Sequence, residues 1–102
     1  MNIECSLINK TLYIRLLGEL DEYAASYARE VLDETINRYS FDNVVFDLAH
    51  LEFMDSTGIG VLIGRYKTLT KRNKRTYISN PSKTIEKIFN MSGLFEIMPK
   101  IS

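Results

Sequence analysis

Hydrophobic and polar positions alternate from the start of the chain. In "TLYIRLL", residues 11–17, Leu12, Ile14 and Leu16 fall on one side, and Tyr13, Arg15 and Leu17 on the other. That period of two is the pattern of a half-buried strand. Residues 2–8 also read as a strand, and only a short "INK" separates the two runs, so an antiparallel hairpin is expected. The period then changes. Ala24, Ala28, Val31, Leu32, Thr35, Ile36 and Tyr39 recur at helical spacing and make one apolar stripe. Asp21 stands where it can cap this helix, with Glu22 supporting its first turn.

"NVVFDL", residues 43–48, is short, β-branched and nearly continuous in apolar character, which fits a central strand. Asp47 interrupts it near the carboxyl end, where open α/β sheets usually place their sites. A loop is expected from there to Asp55, and a helix from about Ser56, because Ile59, Leu62, Ile63, Tyr66 and Leu69 share a helical face. Residues 76–79 make a brief strand. "NPSKTIEKIFNMSG" reads as a short helix capped by Asn80, started by Pro81 and ended by Gly93. "LFEIM" is expected to form a last short strand before Pro99. The order β-β-α-β-α-β-α, with that final β, predicts one α/β domain over residues 1–102. Its sheet should be mixed, with four or five strands and with the helices mainly on one face.

Charge narrows the list of partners. Thirteen basic and thirteen acidic residues cancel, so the chain offers no bulk attraction to nucleic acid or to an anionic membrane. The one local excess, "KTLTKRNKR" at residues 67–75, reads as the solvated end of a helix, with a minor docking patch as the alternative. Cys5 is the only cysteine, which excludes an intrachain disulfide. The first residues lack the pattern of a signal peptide, and no apolar run approaches a membrane span of roughly 18 residues. A cytoplasmic location is the expectation.

The segment "FMDSTGIGVLIGRYK", residues 53–67, sets an acid and two hydroxyls before three glycines. Its catalytic readings fail on spacing. An aspartic-protease loop would need Asp-Thr-Gly or Asp-Ser-Gly, and Asp55-Ser56-Thr57-Gly58 has one residue too many. A nucleophile elbow would need glycine two before Ser56, where Met54 stands. The dinucleotide fingerprint lacks its third glycine at Ile63, and no Gly-Lys-Ser/Thr follows Gly64. His50, the only histidine, could serve Ser56 as a base, but it reads more simply as a polar residue in a loop leaving a strand. One histidine and one distant cysteine have no metal-ligand spacing.

Ser56 is instead placed at or beside a helix N-cap, where its hydroxyl can accept an unpaired backbone N–H. That alone accounts for a serine. A second reading is a switch: a helix N-terminus tolerates a phosphate, which would bring roughly −1.5 to −2 charges to the surface. The glycines need a reason as well, since each costs about 1 kcal/mol in a helix relative to alanine. Gly58 would keep the surface at Ser56 open. Gly60 and Gly64, four apart, would let one helix face approach another backbone, either inside the domain or on a partner.

"GELD" at Gly18 to Asp21, "VVFDL" at Val44 to Leu48, "FMDSTGIGVLIGRYK" and "MSGLF" at Met91 to Phe95 together resemble the STAS domain of bacterial anti-sigma factor antagonists. The match spans nearly the whole chain in order. "FMDS", "GRYK" and "MSGLF" point within it to the antagonists of sporulation. The resemblance implies a regulator without catalysis and without a cofactor of its own. Its unphosphorylated form binds an anti-sigma factor that is also a serine kinase, which frees the sigma factor. The kinase, carrying ATP or ADP, phosphorylates the antagonist, and a serine phosphatase resets it. Carried over by position, the phosphorylated residue is Ser56. Asp21, Asp55, Ser56, Thr57, Gly58, Ile59 and Gly60 face the partner. Thr57 stands where serine is common in the subgroup, which raises the question of which hydroxyl is modified. Family members often carry a further C-terminal helix past the position of Ser102. The rival within the family is a STAS module of another stress-signalling complex.

Overall fold

The computed structural model describes residues 1–102. Its elements in chain order are β1 (Asn2–Ile8), β2 (Thr11–Leu20), α1 (Ala25–Arg38), β3 (Asn43–Met54), α2 (Ser56–Lys71), β4 (Arg75–Ser79), α3 (Lys83–Ser92) and α4 (Leu94–Ile97). The strands form one sheet in the order β1-β2-β3-β4. The hairpin is antiparallel, with Cys5 opposite Ile14, and β2–β3 and β3–β4 are parallel. Asn9 and Lys10 turn the hairpin with φ of 48° and 66°, the double left-handed turn that matches strand twist.

One face of the sheet carries the core. Leu12, Ile14 and Leu16 of β2, Val44, Phe46 and Leu48 of β3, and Ile78 of β4 are buried in one cluster with residues of all four helices. Ala28, Leu32 and Ile36 come from α1, Val61, Leu62 and Leu69 from α2, Ile85 and Phe89 from α3, and Leu94 from α4. An ion pair of 3.1 Å between Arg65 Nε and Asp33 Oδ1 joins α2 to α1, although the N–H is not aimed at the carboxylate and no hydrogen bond forms. The opposite face has no helix. Across it Arg15 links Glu4 (3.8 Å) to Asp47 (3.2 Å), and Asn80 Nδ2 donates to Asp47 (3.4 Å). Burial pushes the Asp47 carboxyl up, but the Ala49 N–H, the Asn80 amide and the Arg15 guanidinium outweigh it and hold its pKa below the ordinary value.

Four expectations are corrected. The central strand does not stop at Leu48 but runs to Met54, so His50 lies in a strand and Asp47 lies mid-strand rather than at its carboxyl end. Likewise β2 runs past residue 17 to Leu20, through Gly18 at φ +97°. Two register shifts, between Arg15 and Leu17 and between Gly18 and Glu19, put extra residues on β3. Its buried residues Leu48, Leu51 and Met54 are therefore three apart, and the period of two is hidden.

"LFEIM" is helical: Gly93 takes φ 71°, and Leu94 and Met98 are buried one turn apart, with Phe95 against Phe89 at 5.2 Å between ring centroids. The extended end of the chain comes later, where Ile78 bridges Lys100 in parallel. Asn80 does not cap α3. It adopts φ 53° and reaches to Asp47, while Ser82 Oγ accepts the Ile85 N–H at 3.2 Å. The basic run is the exposed end of α2 and the turn after it. There Lys74 lies 4.0 Å from Asp42 and 5.8 Å from the Phe41 ring centroid.

Candidate functional site

Three parallel strands end on the same side of the sheet, and a polar residue follows each: Asp21 after β2, Asp55 after β3 and Asn80 after β4. Asp21 and Asp55 build the local geometry. Asp21 Oδ1 accepts the N–H groups of Tyr23 and Ala24, both at 3.0 Å. It therefore caps the turn that precedes α1, a few residues before the helix begins at Ala25. With that offset no acid lies in the first turn of α1, and Glu22 does not support it.

The N-cap of α2 is Asp55, not Ser56. Asp55 Oδ1 accepts the Gly58 N–H at 2.9 Å, and Oδ2 accepts the Glu22 N–H at 3.1 Å. One half-buried carboxylate thus fixes the start of α2 and the loop entering α1. It also meets the positive end of the helix dipole. Because Asp55 takes the capping bond, Ser56 becomes the first helical residue and its side chain is exposed. Thr57, next to it, is half-buried.

The glycines divide. A methyl group on Gly58 would collide with the backbone oxygen of Leu20, and would lie 2.9 Å from Met54 Cγ and 3.0 Å from Leu20 Cγ. Gly58 is buried where α2 crosses the ends of β2 and β3, so its role is close packing within the domain, and it does not open the surface at Ser56. Gly60 and Gly64 are the reverse. Nothing lies within 4 Å of an added Cβ at either, so no close approach inside the domain accounts for them. Gly60 is exposed and Ile59 half-buried, both within the first two turns of α2.

Asp21, Asp55, Ser56, Thr57, Ile59 and Gly60 therefore gather at one end of the sheet, with Gly58 beneath them. His50 does not join them: it is exposed in β3, four residues before Met54, or ~13 Å of extended strand. The family resemblance placed these residues on one surface in advance, but neither it nor the spacing gave the bond from Glu22 to Asp55, which depends on β3 reaching Met54. Two exposed aromatics at the same end, Tyr23 and Phe53, carry no motif and were not expected there.

This fold has counterparts. The STAS domain family model matches residues 2–102, and the chain belongs to that family. Within it, the chain stands among relatives named as anti-sigma factor antagonists. An anti-sigma F factor antagonist of Paenibacillus polymyxa is 36% identical over 99 residues, covering 97% of this chain and 85% of that one. An anti-sigma-B factor antagonist of Staphylococcus aureus is 32% identical over 98 residues, covering 96% and 90%. Among solved structures, the anti-sigma factor antagonist SpoIIAA in its unphosphorylated form superposes with a TM-score of 0.81 at 32% identity, over 99% of this chain and 89% of that one. The phosphorylated form of the Bacillus protein gives 0.74 at 32% identity, over 99% and 92%.

Proposed function

We propose that this chain is an anti-sigma factor antagonist whose unphosphorylated form binds an anti-sigma factor with serine kinase activity. Binding releases the sigma factor and activates sporulation transcription. Phosphorylation of Ser56 ends the interaction, and a serine phosphatase restores it. The carrying observation is the exposed Ser56 at the first position of α2, relieved of capping by Asp55. A kinase can reach such a hydroxyl, and the helix N-terminus accommodates the phosphate without unfolding.

In this reading Asp21, Asp55, Ser56, Thr57, Ile59 and Gly60 form the partner-facing surface. Gly58 serves it from below by letting α2 sit close to Leu20 and Met54. Gly60 contributes the absence of a side chain, which lets a partner approach the helix backbone. ATP and ADP belong to the kinase, and the antagonist performs no chemistry and needs no cofactor. It acts in the cytoplasm, without direct contact to nucleic acid or membrane. Relatives named for sigma F and for sigma B, at 36% and 32% identity, keep a stress-signalling partner as the second reading.

Co-purification with anti-sigma factors encoded in the same genome tests the proposal. The chain should be retained by the cognate kinase with ADP, displace its sigma factor, and be released after incubation with ATP. Retention by none of them, or retention unaffected by ATP, contradicts it.

A further inference from the structure

The end of the domain that holds Ser56 has a chemical character that the site residues alone do not describe. Residues 16–28 and 48–64, which form it, contain Glu19, Asp21, Glu22, Glu52 and Asp55 and no lysine or arginine, although Arg29 and Arg65 follow directly and the Met1 amine lies against Gly18. The basic run of residues 67–75 starts at Lys67 in the last part of α2, ~17 Å from Ser56 along the helix axis. A chain with no net charge is therefore unevenly charged, with an acidic excess at the Ser56 end.

Three large aromatic side chains stand out from these segments, Tyr23 at 88% exposed and Tyr27 and Phe53 at 49% each. Of these, Tyr23 and Phe53 are the two joined most directly to Asp55, through Glu22 and along β3. Tyr23 follows Glu22, whose N–H is tied to Asp55, and its own N–H is tied to Asp21. Phe53 pairs in register with Glu19 and lies two residues before Asp55. Because Met54 is buried under the helices, strand alternation turns Phe53 to the opposite side. Tyr23 thus stands in the loop that Asp55 ties down on the α1 side, and Phe53 stands on the open face of the sheet at the end of β3 that leads into Asp55. Both sit on backbone held by carboxylate bonds or by sheet pairing. An exposed aromatic on fixed backbone loses little freedom on binding, which is why aromatic residues dominate interface energetics.

We propose that Tyr23 and Phe53 are the aromatic anchors of the docking surface, and that they seat in apolar depressions of a partner face rich in lysine and arginine. The inference rests on the reading of the Ser56 end as the surface for the anti-sigma factor, and it specifies what that partner must present. Charge complementarity assigns the basic rim, and continuity with Asp55 and Ser56 assigns the location. A phosphate on Ser56 would then act at the same end of the domain as the anchors. It would hold the two surfaces apart and keep the aromatic rings from their pockets, even though the partner face is basic.

The test measures binding of the purified full chain to its cognate anti-sigma kinase with ADP, by calorimetry. Tyr23→Ser and Phe53→Ser should each weaken binding about tenfold or more. Met91→Ser, which alters a side chain 79% exposed on α3, should leave it unchanged. Affinity should also fall at least about tenfold as salt rises from about 50 to 300 mM. Thermal melting checks each variant. Tyr23 is so exposed that its replacement cannot unfold the domain, so the Tyr23 result stands even where Phe53→Ser melts early. Wild-type binding with both variants unimpaired, or with no salt dependence, overturns the anchors and leaves the functional reading standing. A wild-type chain that does not bind overturns both.

Discussion

The Asp55 carboxylate accepts the backbone N–H of Glu22 across a gap of 33 positions in the chain, at 3.1 Å, while its other oxygen caps α2 through Gly58. The relationship couples the loop after β2 to the helix after β3. The residues proposed to face a partner are thereby held as one surface. Asp55→Ala removes both bonds. The cap alone is worth about 0.5–2 kcal/mol, and the second bond, which is solvent-exposed, about 0.5–1.5 kcal/mol. Urea denaturation should show a loss within the sum of those ranges. Asp55→Asn keeps an oxygen for Gly58 but offers an amide donor toward Glu22, and should fall between Ala and wild type. Equal stability of all three would mean that the surface is held by packing alone.

Asp21→Ala should weaken partner binding more than it weakens the fold. Its one oxygen accepts two N–H groups of the turn before α1, and the expected cost is about 1 kcal/mol. A large fall in melting temperature with unchanged affinity per folded molecule would reduce Asp21 to a structural cap.

The glycines of α2 should respond in opposite directions. Gly58→Ala forces a methyl group onto the Leu20 backbone and the Met54 side chain, an overpacking that should cost about 1–3 kcal/mol or more. Gly60→Ala and Gly64→Ala meet open space and should stabilise the helix by up to about 1 kcal/mol each. Gly60→Val should leave the fold intact as well, which the sequence argument of a close internal approach did not anticipate. If Gly60→Val also binds the partner normally, Gly60 has no role at the interface.

Asp47 should make stability depend on acid. Its folded pKa lies below its ordinary value, so its contribution is present above the unfolded pKa of about 3.9 and is lost as pH falls through the lower folded value. Asp47→Asn should therefore be less stable than wild type at neutral pH. The difference should be about 1 kcal/mol or less, because Arg15 is half-exposed and the pair is screened. The difference between the two proteins should begin to shrink at about pH 4 and vanish only once pH has fallen through the lower folded value. A difference independent of pH would place the effect in packing rather than in charge.

How much of this was legible depends on whether the signal was local. The hairpin, α1, α2 and α3 follow from periods of two and 3.6 that survive in the sequence, and Gly93 ends α3 in the left-handed conformation its position implied. The second half of β3 was not legible, because extra residues at the register shifts break the alternation. "LFEIM" is too short for its period to separate strand from helix, and burial of Leu94 and Met98 decides it. At the site, a serine and an aspartate in sequence could each have capped α2. Asp55 takes the bond because its carboxylate reaches both Gly58 and a loop that is distant in the chain. Nor could the sequence reveal that Gly58 is packed and Gly60 free, since that depends on where the Leu20 carbonyl lies.

Ser56→Ala should bind the anti-sigma kinase and resist inactivation. Because Asp55 supplies the cap, the loss in stability should be small, below the roughly 0.5–2 kcal/mol of a removed N-cap. Ser56→Asp should fold normally, since a carboxylate suits the first turn of a helix, yet should bind poorly. A Ser56→Asp variant that binds like wild type would argue against steric separation of the two surfaces at this position as the switch.

Phosphopeptide mapping after incubation with the cognate kinase and ATP decides whether Ser56 is the switch. One phosphate per chain is expected, carried by Ser56 and absent from Ser56→Ala. The neighbouring Thr57 should stay unmodified, because it is half-buried where Ser56 is exposed. A phosphate on Thr57, or none on a chain that binds an active kinase, would contradict it.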